Sequence, residues 1–235
     1  MQTENKLAVL ILCGGKGTRL GTKFKNTNKS LIKINGKTLI STNINYLFKQ
    51  KFRNIFVLTG HAHKKVEKEV SKKFKKKVFL NFTGVNSSIA LRIKKTLKLL
   101  DKFQYVLLMN GDSLYKFNLQ KIFNETVKKC IDCSFICTSK IIKYGFLKVD
   151  SKRKIKSFTK NEKIFNFSNK DYHLFYSGVC FIDKELLKKN LDKIYKNFEL
   201  DLFNKLIKKN KTKVFFDKAQ FRDFNNLEDV QGLKK

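Results

Sequence analysis

Apolar residues recur along this chain in two alternating arrangements. Continuous runs of five or six are followed by stripes spaced three to four residues apart. Residues 8–13 form an unbroken apolar run, which predicts a buried strand. Ile40, Ile44, Leu47 and Phe48 share one face of a helix over roughly 38–50. A second strand is expected at 55–59, a Lys-rich helix at about 64–74 and a third strand at 78–82. Ile89, Ile93, Leu97 and Leu100 mark another helix, 105–109 a fourth strand, and 117–127 a further helix. This succession predicts an α/β fold with a mostly parallel central sheet and helices on both faces. Such sheets bind ligands beyond the carboxyl ends of their strands. From Ser134 onward shorter strands dominate, at 134–138, 146–149, 155–158 and 178–182, and read as a smaller antiparallel part. No Gly/Ser/Pro-rich hinge separates the two regions, so residues 1–235 form one domain.

The end of the first strand carries the chemistry. Val9-Leu10-Ile11-Leu12-Cys13 runs directly into Gly14-Gly15-Lys16-Gly17-Thr18-Arg19-Leu20, and Lys29 follows nine residues later. Glycines let backbone amides crowd an anion without a Cβ in the way, and arginine offers a two-pronged donor, so phosphate is the expected guest. Two familiar phosphate loops do not fit. A P-loop needs Gly-Lys followed by Ser or Thr, and here Lys16 is followed by Gly17. The dinucleotide fingerprint would need glycine at position 20, which is Leu20.

What the stretch resembles is the signature of the sugar-1-phosphate nucleotidyltransferases: an apolar strand, G-G-x-G-T-R-L, then P-K-P-L. Asn28-Lys29-Ser30-Leu31 stands at the last segment with both prolines replaced. The likeness continues through Ile34-Asn35-Gly36-Lys37, the strand ending Asn110-Gly111-Asp112, and Tyr144-Gly145 followed by Ile155-Lys156-Ser157-Phe158. Ser177-Gly178-Val179-Cys180-Phe181, Phe198-Glu199-Leu200-Asp201 and Phe221-Arg222-Asp223 complete it. Thr83-Gly84-Val85-Asn86 through Arg92-Ile93-Lys94 is similar to a segment of glucose-1-phosphate cytidylyltransferases. The chain's length, Asn110-Gly111-Asp112 and Asn35-Gly36-Lys37 are closer to heptose-1-phosphate guanylyltransferases.

The resemblance implies a Rossmann-like GT-A nucleotidyltransferase fold, with a nucleotide-binding half at 1–130 and a sugar-phosphate-binding half at 131–235. It implies transfer of a nucleoside monophosphate from an NTP to a sugar 1-phosphate, with release of pyrophosphate, for surface polysaccharide assembly. Leu12, Gly14, Gly15, Gly17, Thr18, Arg19, Gly84 and Asn86 would hold the nucleotide. Arg19, Lys29 and Asp112 would be catalytic. Asp112 and Asp223 would bind Mg²⁺, which favours carboxylates with phosphate oxygens. Gly145, Lys160, Lys163 and Glu199 would hold the sugar phosphate. The family's x-Glu-Lys after Phe158 is here Thr159-Lys160-Asn161, with Glu162-Lys163 displaced by two positions.

A phosphate nucleophile is already ionised near neutral pH, so no general base is required, and catalysis falls to charge neutralisation and in-line positioning. Read from residue type alone, Asp112 could also be a turn or helix-capping residue, as could Asp223, and Gly145 and Glu199 could be a turn glycine and a surface acid.

Composition adds one departure. Lys and Arg number 52 against 19 Asp and Glu, a net charge of +33, and only five of the 52 are Arg. The lysines are spread over the whole length, whereas nucleic-acid readers cluster their cations and favour arginine. The expectation is a solvated basic surface with weak contacts to anionic surfaces and no specific nucleic-acid partner. The five cysteines are scattered, and Cys130 and Cys133 form a lone C-x-x-C, which reads as free thiols rather than zinc ligands. The start of the chain is too polar for a signal peptide and no apolar run approaches a membrane span, so a cytoplasmic enzyme is expected. Three other readings remain open: a cytidylyltransferase for a non-sugar phosphate such as phosphocholine, a degenerate nucleotide-binding protein, and a Lys-driven binder of RNA or membrane surfaces.

Overall fold

The first apolar run becomes the middle of the sheet. β1 (Leu7–Cys13) is almost wholly buried, with a parallel strand on each side. Neighbours at both edges and helices on both faces leave it no polar side, hence no alternation in its sequence. The computed structural model describes residues 6–16, 27–138, 145–149, 155–160, 174–191, 198–217 and 221–223. After β1 a short hairpin pairs β2 (Lys33–Ile34) with β3 (Lys37–Thr38). Its turn is Asn35-Gly36, both at positive φ (49° and 75°), the conformation that Asn-Gly adopts in two-residue hairpins. Then come α1 (Leu39–Lys49), β4 (Ile55–Thr59), α2 (His63–Phe74), β5 (Phe79–Phe82), α3 (Ile89–Leu97) and β6 (Tyr105–Asn110). β7 (Ser113–Leu114), α4 (Leu119–Lys128), β8 (Cys133–Thr138), β9 (Gly145–Val149), β10 (Ile155–Lys160) and β11 (Phe175–Asp183) follow. The chain continues through α5 (Lys184–Leu191), α6 (Phe198–Lys209), β12 (Thr212–Phe216) and β13 (Arg222–Asp223).

Seven strands form the central sheet in the order β12-β8-β11-β6-β1-β4-β5. Four consecutive members, β5, β4, β1 and β6, are parallel, and β11 runs antiparallel to both β6 and β8. Alternate residues of β1 feed two cores, as a period of two requires. Leu7, Val9 and Ile11 pack with Ile40, Ile44 and Leu47 of α1, Val66 and Val70 of α2, and Phe123 of α4. Ala8 and Leu10 pack with Ile93 and Leu97 of α3, Leu187 of α5, and Leu202 and Leu206 of α6.

The parallel α/β core expected from the hydrophobic pattern is present, and β4 has the expected bounds. The second half differs in detail. Of the strands read as an antiparallel part, only β9 and β10 pair apart as their own two-stranded sheet, whereas β8 and β11 extend the central one. α5 and α6 had no counterpart in the strand-dominated reading. α5 is short and mostly lysine or polar, and burial of Leu187 and Leu191 completes it, whereas α6 carries Phe198, Leu202 and Leu206 at helical spacing and buries all three.

The winding order positions the site. From β1 the chain moves outward to β4 and β5, then returns to place β6 on the other side of β1. The carboxyl ends of β1 and β6 therefore flank the point where the winding reverses, the crevice in which open α/β sheets bind ligands.

Candidate functional site

At that crevice Gly111 follows β6 and its N–H donates to the Leu12 carbonyl at 3.1 Å. A Cβ on Gly111 would fall 2.2 Å from Cys13 Sγ and 3.1 Å from the Leu12 oxygen, so only glycine allows this approach. The contact presses Asp112 against the end of β1. Burial pushes the Cys13 thiol up to about 12, so it fills space as a neutral thiol and is no nucleophile. Beyond Asp112, β7 pairs antiparallel with β13, setting Asp223 opposite Ser113 and Arg222 opposite Leu114. Asn43 of α1 donates to the Ser113 carbonyl at 2.9 Å and fixes β7 from beneath. The register thus brings the backbone of Asp223 beside the residue that follows Asp112.

Lys29 reaches the same place from a single 3₁₀ turn, Lys29–Leu31. Its Nζ lies 3.9 Å from Asp112 Oδ2. The turn is built by Asn28, which is only 2% exposed. Asn28 Oδ1 accepts from the Ser30 N–H and hydroxyl at 3.0 and 2.8 Å, while its Nδ2 donates to the carbonyls of Cys13 (2.6 Å) and His61 (3.0 Å). The Asn28 φ of −73° is close to the angle a proline ring would impose. Hydrogen bonds from Asn28 and Ser30 therefore hold the path that prolines would have fixed covalently.

On the other side of β1, Arg92 lies buried in the groove at the ends of β1 and β4. Ideal Cβ atoms on Gly14 and Gly60 would fall 1.7 Å and 2.6 Å from its terminal nitrogens, and the one on Gly60 also 2.9 Å from the Gly14 carbonyl oxygen, so a side chain at either position would displace the guanidinium laid across them. Arg92 Nε donates to Ser87 Oγ at 2.9 Å, and Ser87 Oγ bonds the Gly84 carbonyl (2.7 Å) and Thr83 Oγ1 (3.0 Å). Burial holds the Arg92 pKa below its ordinary value. His61, next to Gly60, has Nε2 buried without a hydrogen-bond partner among the described residues.

The expected site residues fall into three groups. Leu12, Gly14, Gly15, Lys29 and Asp112 converge at the carboxyl ends of β1 and β6, and Gly84 and Asn86 lie in the loop between β5 and α3. Gly84 has φ +108°, a backbone state suited to glycine. Gly145 and Lys160 are direct partners in the β9–β10 ladder, and Glu199 opens α6. Desolvation and then the negative charge of Asp112 raise the Glu199 carboxyl pKa, which links Glu199 electrostatically to the crevice. Gly17, Thr18, Arg19 and Lys163 lie outside the described residues.

Sequence reasoning gave no role to Asn28 or Arg92. For Arg92 the signal was present: an arginine in an Arg-poor chain, on the flank of a helix whose other flank positions, Ile93 and Thr96, are buried.

A glycine-rich strand end, a lysine and a partly exposed carboxylate suit a polyphosphate and a hard cation. Mg²⁺ is commonly held by one or two carboxylates with phosphate and water oxygens completing the shell, and the Asp112 carboxylate beside Lys29 suits one such ligand.

The nucleotidyl transferase family model matches residues 8–230. The chain is 28% identical over 189 residues to a D-glycero-alpha-D-manno-heptose 1-phosphate guanylyltransferase of Campylobacter jejuni, covering 77% of each chain. It is 22% identical over 241 residues to the protein of the same name from Aneurinibacillus thermoaerophilus, covering 97% of each. In fold it is similar to the crystal structure of HddC from Yersinia pseudotuberculosis, with a TM-score of 0.70, 21% identity, and 96% and 97% of the two chains covered.

Proposed function

The chain belongs to the nucleotidyl transferase family, and on that premise we propose that it transfers a guanylyl group from GTP to a sugar 1-phosphate, releasing pyrophosphate. What carries this reading is a conjunction. Two relatives named as heptose 1-phosphate guanylyltransferases match 77% and 97% of the chain, and Lys29 and Asp112 meet at the β1–β6 crevice.

The reaction is a displacement at the α-phosphorus. An oxygen of the sugar phosphate forms the new P–O bond. The bond from the α-phosphorus to the α,β-bridging oxygen breaks, and its electron pair leaves on pyrophosphate. The nucleophile is already anionic, so no side chain has to remove a proton. Leu12, Gly14, Gly15, Gly17 and Thr18 shape the loop around the nucleotide, with Gly84 and Asn86 toward the base. Lys29 and Arg19 offset the charge that accumulates on the departing pyrophosphate. Asp112 and Asp223 are the residues that would hold Mg²⁺, which when bound neutralises phosphate charge. Gly145, Lys160, Lys163 and Glu199, in the half at 131–235, receive the sugar phosphate and set it in line. The product is an activated sugar, which a glycosyl transfer reaction must consume. We place this in a bacterial cytoplasm, supplying surface polysaccharide.

A cytidylyl donor is the second reading, favoured by Thr83-Gly84 through Arg92-Ile93-Lys94. Pyrophosphate release measured across GTP, CTP, ATP, UTP and dTTP against heptose and hexose 1-phosphates tests both. GTP with a heptose 1-phosphate should give the highest kcat/KM. Pyrophosphate with no pair of substrates would overturn the proposal.

A further inference from the structure

At the opposite end of the sheet, where β4 and β5 begin, a cavity of about 540 Å³ is lined by Phe48, Arg53, Lys76, Lys77 and Phe79. Cavities of roughly 300–1,000 Å³ hold small organic ligands. Phe48 lies in the last turn of α1, Arg53 just before β4, and Lys76, Lys77 and Phe79 at the start of β5. β4 is five residues long, so about 13 Å of strand separates this cavity from the strand ends that form the crevice. Three cations converge on it, and among the described residues no carboxylate pairs with Arg53, Lys76 or Lys77. Arg53 is held in place. Its Nη1 donates to the carbonyls of Phe48 and Phe52 at 3.0 and 3.1 Å, and its guanidinium carbon stands 5.6 Å from the centre of the Phe48 ring. Its other nitrogens bond no described residue. Phe79 is 55% exposed, with Phe56 stacked on its inner face at 5.0 Å and 19° between the planes. The backbone bends sharply to bring the lysines here. Lys75 has φ 46° and ψ −130°, the first central position of a type II′ turn, which glycine adopts freely and lysine only at a cost. α2 ends at that bend, and Lys75–Lys77 follow as one 3₁₀ turn carrying three like charges. Strain of this kind gathers at ligand sites.

We propose that this cavity is a second binding site, for a small molecule in which a planar ring carries a phosphate, the class that includes nucleoside monophosphates. Lys76, Lys77 and the unused edge of Arg53 donate to the phosphate oxygens, and the ring lies against Phe79. The chemistry discriminates. A phosphate monoester brings close to two negative charges at neutral pH to meet three cations, whereas a carboxylate brings one. Inorganic phosphate would pair with the cations but leave the aromatic wall in water. A ring without charge would leave the cations repelling one another. Most lysines of this chain are scattered over its surface. Here two of them share a concavity with two aromatic rings and with one of only five arginines. The proposal goes beyond the transfer reaction and does not depend on it.

The test is equilibrium binding of 1-naphthyl phosphate to the full chain, followed by the fluorescence of the probe, which no tryptophan obscures. Saturable binding is expected at physiological salt, with inorganic phosphate and 1-naphthol each at least about 10-fold weaker. Lys76→Gln with Lys77→Gln replaces two exposed side chains that bond no described residue, so the fold is kept. This pair should weaken the probe about 10-fold or more. Phe79→Leu keeps an apolar side chain against Phe56 but loses the flat face, and should cost about 10-fold. Two controls separate this site from general charge and from the crevice. Lys64→Gln with Lys68→Gln removes the same charge from exposed positions of α2 outside the cavity, and Lys29→Gln alters the crevice. Both should stay within about twofold of wild type, because remote charges are screened within roughly 8 Å. AMP and pyridoxine 5′-phosphate, added as competitors, distinguish a nucleotide from a ring phosphate without ribose, and displacement by either supports the site. Displacement by neither would overturn the proposal, as would the absence of saturable binding. Equal losses in the two lysine pairs would also overturn it, since the probe would then be answering to net charge. Loss of binding in Lys29→Gln, with none in Lys76→Gln/Lys77→Gln, would place the probe in the crevice and overturn it too.

Discussion

Replacing Gly111 by alanine adds one methyl group at the place where β6 is pressed against β1. The methyl carbon would lie 2.2 Å from Cys13 Sγ, with the Leu12 oxygen at 3.1 Å and Ile11 Cγ2 at 3.3 Å. Cys13 is buried and cannot turn outward. Relief of the sulfur contact alone needs roughly 1 Å of movement, which the end of β6 must supply, carrying Asp112 with it. A misplacement of about 1 Å at a reacting centre costs on the order of 100-fold in rate. Overpacking a filled core costs about 1–3 kcal/mol of stability. Gly111→Ala should therefore lose about 100-fold in kcat while its unfolding free energy in urea falls by about 1–3 kcal/mol.

The sulfur is the dominant clash, so Cys13→Ala introduced together with Gly111→Ala should restore most of the loss, leaving only the two milder contacts. Steady-state pyrophosphate release and urea unfolding of the wild type, both single variants and the double variant give the coupling directly. Wild-type turnover in Gly111→Ala, or a double variant no better than Gly111→Ala, would refute the claim that this contact positions Asp112.

Three further outcomes follow from the same geometry. Asp112→Asn should lower kcat by about 100-fold or more, and activity of the wild type should vanish with a chelator and return with Mg²⁺; near-normal turnover of Asp112→Asn would remove Asp112 from the reaction. Asn28→Ala deletes the hydrogen bonds to Cys13, His61 and Ser30, and should cost about 1–3 kcal/mol in urea unfolding together with a drop in kcat, whereas an effect on stability alone would show that Lys29 is placed by something else. At Glu69 burial favours protonation, but hydrogen bonds from Lys73, Thr38 and Ser41 outweigh it and hold the carboxyl at about 2. Its stabilisation is therefore present at neutral pH and lost in acid. The gap in unfolding midpoint between wild type and Glu69→Gln should close as pH falls from about 4.5 toward about 2, and a gap that is constant with pH would contradict this.

The parallel core was legible because each strand is buried on both faces and each helix shows a stripe, so hydrophobic period and burial agree. The strand at 55–59 needed nothing else. α5 was not legible because its stripe is short and lysine-rich, and packing onto the sheet decides it; α6 was legible in the spacing of Phe198, Leu202 and Leu206 but was passed over for the strands around it. β2, β7 and β13 are two residues long, below the length at which alternation carries a signal. Within the site, the residue types that meet phosphate were visible in the strand-end glycines, Lys29 and Asp112. The residues that position them were not. Asn28 looked like the loss of a proline, and its capping geometry appears only when the carbonyls of Cys13 and His61 are brought beside it in space. Arg92 lies 78 positions after Gly14 in sequence and reaches it only because β1 and β4 are neighbours.

The central claim is that a sugar phosphate oxygen attacks the α-phosphorus of GTP at the β1–β6 crevice. It is tested most directly by following isotopic oxygen. A sugar 1-phosphate carrying ¹⁸O in its phosphate group is incubated with unlabelled GTP, Mg²⁺ and the protein, and the phosphorus-containing products are resolved by mass spectrometry. The account predicts that all of the label is retained in the diphosphate of the nucleotide sugar and that pyrophosphate is released unlabelled. Label in pyrophosphate or in inorganic phosphate, or no nucleotide sugar at all, would contradict it.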